Sequence, residues 1–291
     1  MITGPTWVAV LAFSIFAGFY GSGSTEQPIR TTKGTATSFD GVEIVYSVQG
    51  KAEPALVFIH GGFADRSFWS DQMNYFSHHY RVIAPDLAGH GESGKNRKSW
   101  NIASFAEDMS AVIKKEKIRK AVLIGNSLGG PVALKTAHLV PETIVAVVAV
   151  DTLHDIGMQV PASYYQTQAE AFRKDFTGTL KKMVQSLFHP DTYPEIMARA
   201  ERCMLDNSPE MAAALMESFA DFDMAELVKN ISIPIRCING DLYPTQVEKN
   251  RGIHADFDAV VLPNTGHFPM LENPELFNQQ LDTILKELQI K

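Results

Sequence analysis

The stretch AVLIGNSLGGPVAL, residues 121–134, decides the fold. Its first four residues are apolar and predict a buried strand, and its last four are typical of a helix. Between them, residues 125–129 (Gly-Asn-Ser-Leu-Gly) have the G-x-S-x-G pattern, in which a serine lies on a sharp strand-to-helix turn. Glycines flank the serine because a Cβ there would crowd the neighbouring backbone. The stretch therefore predicts a nucleophile elbow with Ser127 exposed at its tip.

Strand-like and helix-like segments alternate on both sides of this elbow. Residues 144–150 are apolar throughout, as in a parallel strand covered on both faces. Asp40-Gly41 lies between two strand-like segments and predicts a hairpin with a type I′ turn. The alternation predicts an α/β fold, a mostly parallel sheet with helices on both faces.

The pattern changes after Asp151. Residues 152–227 contain no convincing strand and predict several helices rich in methionine and aromatic residues. An insertion after the sixth strand predicts a helical cap over the carboxyl ends of the strands, where such sheets bind ligands. We expect a core of residues 30–151 and 228–291, with a cap over residues 152–227.

Residues 1–24 differ from the rest, because they carry no charged side chain. The apolar run over residues 7–20 is short for a membrane span but typical of the apolar region of a signal peptide. The basic segment that usually precedes such a region is missing. We expect an exported protein, periplasmic or secreted, without stable membrane insertion after processing; a cytoplasmic protein is the alternative.

The composition is that of a globular protein of 291 residues, with a net charge of −7 and 45% hydrophobic residues. The negative charge gives no electrostatic footprint for nucleic acid. Cys203 and Cys237 form neither a disulfide framework nor a zinc-binding pattern. We expect a small-molecule substrate and no nucleic-acid partner, metal or organic cofactor, and the sequence leaves the oligomeric state open.

A serine nucleophile needs a base and an acid. The best candidate base is His267, because its Gly/Pro/Asn loop between the last strand and the last helix can reach the elbow. The candidate acids are Asp151, which ends the sixth strand, and Asp241, which follows the next one, with Asp155 a weaker choice. Each aspartate has a structural alternative, as a helix cap or turn residue.

A tetrahedral intermediate also needs two N–H donors. One is predicted to be the backbone N–H of Leu128, which follows the nucleophile. The other is expected from the loop after His60-Gly61, at Gly62 or at the neighbouring Phe63. His60 is expected to be structural and to hold this loop in place, as are the Asp65 and Arg66 side chains.

These motifs together resemble the α/β-hydrolase superfamily over roughly residues 35–290. The resemblance rests on His60-Gly61-Gly62, on residues 85–93 (PDLAGHGES), on the Ser127 elbow and on Gly266-His267. It implies an eight-stranded, mostly parallel sheet and a Ser-His-acid triad.

The resemblance also bears on the choice of acid. Family members usually place it three residues after the glycine that ends strand seven, which here is Tyr243, so Asp241 comes two residues early. Some members, including haloalkane dehalogenases, place the acid at the end of strand six, which corresponds to Asp151. Asp151 is therefore the predicted acid, with Asp241 as the alternative.

The residue type of the nucleophile restricts the class of reaction. Dehalogenases and epoxide hydrolases of this fold use aspartate in the elbow, whereas Ser127 favours acyl transfer. We expect a hydrolase of a small-to-medium hydrophobic carboxylic ester that forms an acyl-enzyme. The alternatives are a carbon–carbon bond hydrolase, whose elbow resembles residues 125–130, and a ligand receptor that does not catalyse a reaction.

Overall fold

The computed structural model describes residues 29–290. The predicted signal segment, residues 1–24, lies outside the described residues, so export stays a prediction. Over residues 29–290, no helix combines the length and the apolar character needed to cross a membrane.

Eight strands form one sheet, in the order β1-β2-β4-β3-β5-β6-β7-β8. The strands are β1 (Thr32–Thr37), β2 (Glu43–Gln49), β3 (Ala55–Ile59), β4 (Arg81–Pro85), β5 (Ala121–Asn126), β6 (Ile144–Val150), β7 (Ile235–Gly240) and β8 (Phe257–Leu262). Only β2 pairs antiparallel with its neighbours, β1 and β4, and every other pairing is parallel. The predicted mostly parallel sheet of eight strands is therefore confirmed.

Helices cover both faces of this sheet. The helices are α1 (Ser70–Phe76), α2 (Ile102–Lys115), α3 (Gly129–Leu139), α4 (Ala162–Lys174), α5 (Phe176–Leu187), α6 (Pro194–Met204), α7 (Pro209–Ser218), α8 (Met224–Lys229), α9 (Val247–Arg251), α10 (Pro269–Glu272) and α11 (Pro274–Glu287). Every residue of β3 and β5 is buried. Because side chains alternate between the two faces of a strand, full burial requires cover on both. Helices α2 and α3 pack together, and α1 packs with α11.

The first two strands form the predicted hairpin, but the predicted type I′ turn is wrong. A type I′ turn needs positive φ at both central residues, whereas only Gly41 has one, at 84°. The Ser38 N–H donates to the Val42 carbonyl at 2.8 Å, and the Gly41 N–H donates to the Ser38 carbonyl at 3.0 Å. The turn is therefore longer, with one left-handed glycine at its end.

Helices α4–α8 lie between β6 and β7, in the segment that the sequence assigns to a cap. Helix α4 packs against α5 and α7, and α8 contacts α3 of the core. Several of the apolar residues of these helices are fully buried, among them Phe172, Leu180 and Met204. Many of the aromatic and methionine side chains of this segment therefore serve packing.

The parallel arrangement brings five connections to one edge of the sheet. The loops after β3, β5, β6, β7 and β8 all leave the carboxyl ends of the strands, and each contains a candidate site residue. Residues far apart in sequence can therefore meet there.

Candidate active site

Ser127 lies on a strained turn between β5 and α3. Its φ is +50°, in the left-handed region that costs a non-glycine residue about 1–3 kcal/mol. The turn is held by the Ser127 N–H, which donates to the Val150 carbonyl at 3.0 Å, and by the Gly130 N–H, which donates to the Ser127 carbonyl at 3.0 Å. A Cβ on Gly125 would overlap the Gly129 carbonyl. Small residues beside the serine are thus a steric requirement of this turn.

His267 is fixed by its backbone between the elbow and the inserted helices. Its N–H donates to the Leu187 carbonyl at the end of α5, at 2.7 Å. Its carbonyl accepts from the Asn126 amide Nδ2 at 2.9 Å. The residue directly before Ser127 therefore holds the candidate base, a role that the sequence analysis did not identify.

Glu272 fixes the same loop from the other side. Its carboxylate accepts from the backbone N–H groups of Gly266 and Phe268, at 3.0 Å and 3.1 Å. It also accepts from the N–H of His189, a residue that lies just after α5, at 3.1 Å. Nothing in the sequence singles out Glu272, because its partners, three backbone N–H groups and the Thr192 hydroxyl, come together only on folding.

Asp151 meets His267 directly. The His267 Nδ1 and the Asp151 Oδ2 lie 2.6 Å apart, and the Gly240 N–H donates to the other carboxylate oxygen at 2.8 Å. Asp151 is only 4% exposed, and its φ of +46° turns the chain sharply after β6. The predicted acid and the predicted base therefore form a buried, charge-assisted pair.

A second histidine reaches the same carboxylate. His154 Nε2 lies 3.4 Å from Asp151 Oδ1. The amide Nδ2 of Asn239 lies 2.8 Å from Thr245 Oγ1 and 3.4 Å from His154 Nδ1. Because an ionised carboxylate only accepts, His154 Nε2 carries the proton that faces Asp151, while Nδ1 lies between the Asn239 amide and the Thr245 hydroxyl, which is 3.2 Å away.

The orientation of the Asn239 amide is set by its oxygen, which accepts from the Thr152 N–H at 3.3 Å. Burial alone would raise the pKa of Asp151, but the hydrogen bonds from His154 and His267 hold it well below its usual range. Asp151 is therefore a firmly ionised carboxylate with donors on both oxygens.

The two alternative acids, Asp241 and Asp155, contact groups other than the His267 ring. Asp241 accepts from the backbone N–H groups of Asn264 and Thr265, at 2.9 Å and 3.3 Å, and so ties down the loop that leads to His267. Asp155 pairs with Lys249 at 2.6 Å. The structure thus brings Asp151 to the imidazole, and Asp241 to the backbone of the same loop.

The candidate N–H donors lie beside the serine. Gly62, Phe63, Ser127 and Leu128 line one cavity together with His267. Within residues 29–290, the backbone N–H groups of Gly62 and Leu128 have no hydrogen-bond partner. Phe63 has a φ of +65°, and its ring packs against Phe172 at 5.3 Å, so it shapes the loop that presents Gly62.

His60 holds this loop, as expected. It is fully buried, its Nδ1 lies 2.7 Å from the Gly61 carbonyl, and its Nε2 accepts from the Leu87 N–H at 2.9 Å. Burial lowers the pKa of His60 to about 4, so the ring stays neutral. Arg66 adds an ion pair with buried Asp86, which links the loops after β3 and β4.

Two cavities meet at this site. One has a volume of about 340 Å³ and the other about 140 Å³. Both are lined by Ser127, Leu128, Phe219 and His267. In the described part of the chain, no group of three or more His, Cys, Asp or Glu side chains is arranged to hold a metal ion. The arrangement offers a half-buried hydroxyl on a cavity wall, a base with a fixed tautomer and N–H donors beside the same cavity, which are the parts that nucleophilic acyl transfer needs.

Comparison with known proteins agrees with the α/β fold. A family model described as "Alpha/beta hydrolase family" matches residues 56–280. The 3-oxoadipate enol-lactonase 2 of Acinetobacter baylyi is 28% identical over 267 residues, which cover 89% of this chain and 98% of that protein. The pimeloyl-[acyl-carrier protein] methyl ester esterase of Aliivibrio fischeri is 26% identical, over 80% of this chain and 93% of its own length.

Among solved structures, a thermophilic esterase from Thermogutta terrifontis is similar in fold. The TM-score is 0.78 at 24% identity, and the match covers 88% of this chain and 99% of the esterase. At that identity the likeness concerns the fold alone. The strand order, the inserted helices and the loops at the carboxyl edge are thus a known architecture.

Proposed function

The chain belongs to the alpha/beta hydrolase family, and on that basis we propose that it is a serine hydrolase of carboxylic esters. One observation carries the proposal: the paired His267 and Asp151 and the strained Ser127 line one cavity. The relatives named for lactone and methyl ester hydrolysis support the same bond type, since a lactone is a cyclic ester.

The first step forms the acyl-enzyme. His267 Nε2 takes the proton of the Ser127 hydroxyl as its Oγ attacks the ester carbonyl carbon. The C=O electron pair moves onto the carbonyl oxygen, which the N–H groups of Gly62 and Leu128 stabilise. Collapse of this intermediate breaks the bond to the alkoxy oxygen, which leaves as an alcohol with the proton from His267.

The second step releases the acid. A water molecule gives a proton to His267 and attacks the acyl carbon, and the ester bond to Ser127 then breaks with return of the proton to its Oγ. Asp151 keeps the proton of the neutral ring on Nδ1, which leaves Nε2 free to accept. Its ionised state also stabilises the imidazolium that forms in both steps.

The proposed substrate is a small-to-medium hydrophobic ester. The smaller cavity is lined by methionine, leucine and phenylalanine side chains, and the larger one adds Tyr165 and Phe222. Such surfaces favour apolar groups because binding removes their area from water, at about 25 cal/mol per Å².

A fluorophosphonate probe tests the serine assignment without knowledge of the substrate. We expect a stoichiometric adduct on Ser127, located by peptide mass spectrometry, and none on the Ser127→Ala variant. If the wild type hydrolyses p-nitrophenyl esters and the Ser127→Ala variant does not, that result would support the hydrolysis of esters. A folded protein that neither reacts with the probe nor hydrolyses any ester would contradict the proposal and favour a receptor.

A further inference from the structure

The two cavities differ in what encloses them. The smaller cavity is lined by buried or half-buried residues, and its distal wall is apolar throughout. That wall consists of Met183, Leu187, Met204, Leu215, Met216 and Phe268. Gly62, the proposed oxyanion donor, lies on its near side. This small cavity is therefore an apolar space, lined by no exposed residue, that begins at the reacting atoms.

The larger cavity reaches solvent and contains polar groups. Met158 on its rim is 61% exposed, and Gln159 beside it is exposed as well. Thr152 and His154 add polar atoms near Asp151. Ser127 and His267 lie where the two cavities meet, so a bound ester has one part on each side.

We infer that the enzyme selects neutral esters whose acyl group has about six heavy atoms or fewer and fills the small cavity, with the alcohol part in the larger one. This inference rests on the proposed ester hydrolysis and assigns its two substrate subsites. It goes beyond the general preference for apolar esters because it gives an upper size, an orientation and a charge.

The order in which the two products leave decides which part of the ester occupies which cavity. The alcohol leaves first, and water must then reach the acyl carbon while the acyl group stays attached to Ser127. The cavity lined by no exposed residue suits the group that stays, and the cavity with Met158 and Gln159 exposed on its rim suits the group that leaves and the water that enters. The opposite orientation would trap the alcohol against Leu215 and Met204 after the first step.

The volume sets the size limit. An apolar cavity of about 150 Å³ lined by aliphatic and aromatic residues holds one benzene molecule, which has six carbons. The small cavity, at about 140 Å³, is therefore matched to an acyl group of about that size. A longer chain has no further space unless the buried Leu215 and Met204 are displaced, and close packing resists that.

The charges of the lining set the preference for a neutral substrate. Of the described residues that line either cavity, none is a lysine or arginine. Asp155, which lines the larger cavity, pairs with Lys249 at 2.6 Å, so the charge of this lysine is already matched. A carboxylate at the end of the acyl chain would lose its water and gain no cationic partner, which is strongly unfavourable.

A series of p-nitrophenyl esters from acetate to decanoate tests the size limit, because only the acyl length changes. We expect kcat/KM to peak between butanoate and hexanoate and to fall at least about tenfold by decanoate. A single methylene group that does not fit a pocket already lowers kcat/KM by about that factor. The p-nitrophenyl monoester of adipate tests charge against the hexanoate ester, and we expect it to react at least about tenfold more slowly.

Two variants test which cavity holds the acyl group. Leu215→Ala enlarges the small cavity and should move the optimum to longer acyl chains. Met183→Ala, at a half-buried position of the same wall, should do the same if the Leu215 variant is too unstable. Met158→Ala alters only the larger cavity, so it should leave the acyl optimum unchanged and shift the preference among alcohols.

The outcomes separate this inference from the function on which it rests. An enzyme that hydrolyses decanoate as fast as butanoate, or whose optimum moves with Met158→Ala but not with Leu215→Ala and Met183→Ala, overturns the subsite assignment and keeps the ester hydrolase. Equal rates for the adipate and hexanoate esters overturn the charge preference. A folded protein that hydrolyses no ester overturns both.

Discussion

The strands β6 and β7 are each followed by an aspartate, but the two carboxylates contact different partners. Asp151 follows β6 and Asp241 follows β7, and the two strands are hydrogen-bonded to each other. The carboxylate of Asp151 lies 2.6 Å from the His267 ring, whereas that of Asp241 accepts from the backbone N–H groups of Asn264 and Thr265. One aspartate contacts the imidazole, and the other contacts the loop that carries it.

The difference comes from the local turn and from burial. Asp151 is buried and left-handed, with its N–H on the Ile238 carbonyl at 3.0 Å. Asp241 is exposed, and its N–H donates to the Thr265 carbonyl at 3.0 Å. Position at a strand end therefore does not decide which aspartate contacts the imidazole; the direction in which the chain leaves the strand does.

The largest effect is expected from Asp151→Asn. An asparagine in this place can keep the imidazole in the wrong tautomer, and the corresponding change in a serine protease lowers kcat about 10⁴-fold. We expect a loss of that order in kcat on a p-nitrophenyl ester, with little change in the melting temperature.

The pH dependence gives this variant a control. The pKa of Asp151 lies well below its usual range, so the carboxylate stays ionised as the pH falls and protonates only in strong acid. Asp151→Asn removes that charge at every pH, whereas Asp241→Asn keeps it, so the ratio of wild-type to Asp241→Asn activity should be constant from about pH 5 to about pH 9, above the ordinary pKa of an aspartate. A wild-type to Asp241→Asn ratio that changes towards pH 5 would show that Asp241 also acts on the His267–Asp151 pair and would contradict the contrast between the two aspartates.

An intermediate effect is expected at His154, the second histidine beside Asp151. His154→Phe removes a hydrogen bond to a charged group, worth about 1.5–3 kcal/mol, which corresponds to a loss of roughly 10- to 100-fold in kcat. His154→Gln keeps an N–H donor and should recover most of that loss. Equal losses in both variants would indicate that the ring fills space rather than orients the carboxylate.

The smallest effect is expected from Asp241→Asn, the same chemical change one strand away. Asparagine keeps an oxygen that can accept from Asn264 or Thr265, so the His267 loop stays in place and kcat should fall less than about tenfold. The expected cost is in stability, about 1 kcal/mol for one weakened hydrogen bond, measured by denaturant unfolding. A loss of kcat as large as that of Asp151→Asn would remove the contrast between the two strand ends.

The sequence predicted much of this arrangement because parts of it follow from short-range constraints. The elbow has a fixed spacing, since only small residues fit around Ser127, and the carboxyl edge collects the loops of any parallel sheet. The contacts of Asn126, Glu272 and His154 could not be read in the same way. Those of Asn126 and Glu272 depend mainly on where backbone carbonyls and N–H groups lie after folding, and those of His154 depend on the side chains of Asp151 and Thr245. Amides, carboxylates and histidines also occur in many other settings. The type I′ turn was wrong for a related reason, because Asp40-Gly41 also suits a longer turn with one left-handed glycine.

The rate of fluorophosphonate labelling at Ser127 tests the central claim most directly, because it needs no knowledge of the substrate. It should be measured in parallel for the wild type, Asp151→Asn and Asp241→Asn, with intact folding checked by circular dichroism. We expect Asp241→Asn to react within about tenfold of the wild type and Asp151→Asn to react at least about 10³-fold more slowly, in line with the loss of base activation. A slow Asp241→Asn beside a fast Asp151→Asn would contradict the account and place the acid at the end of β7.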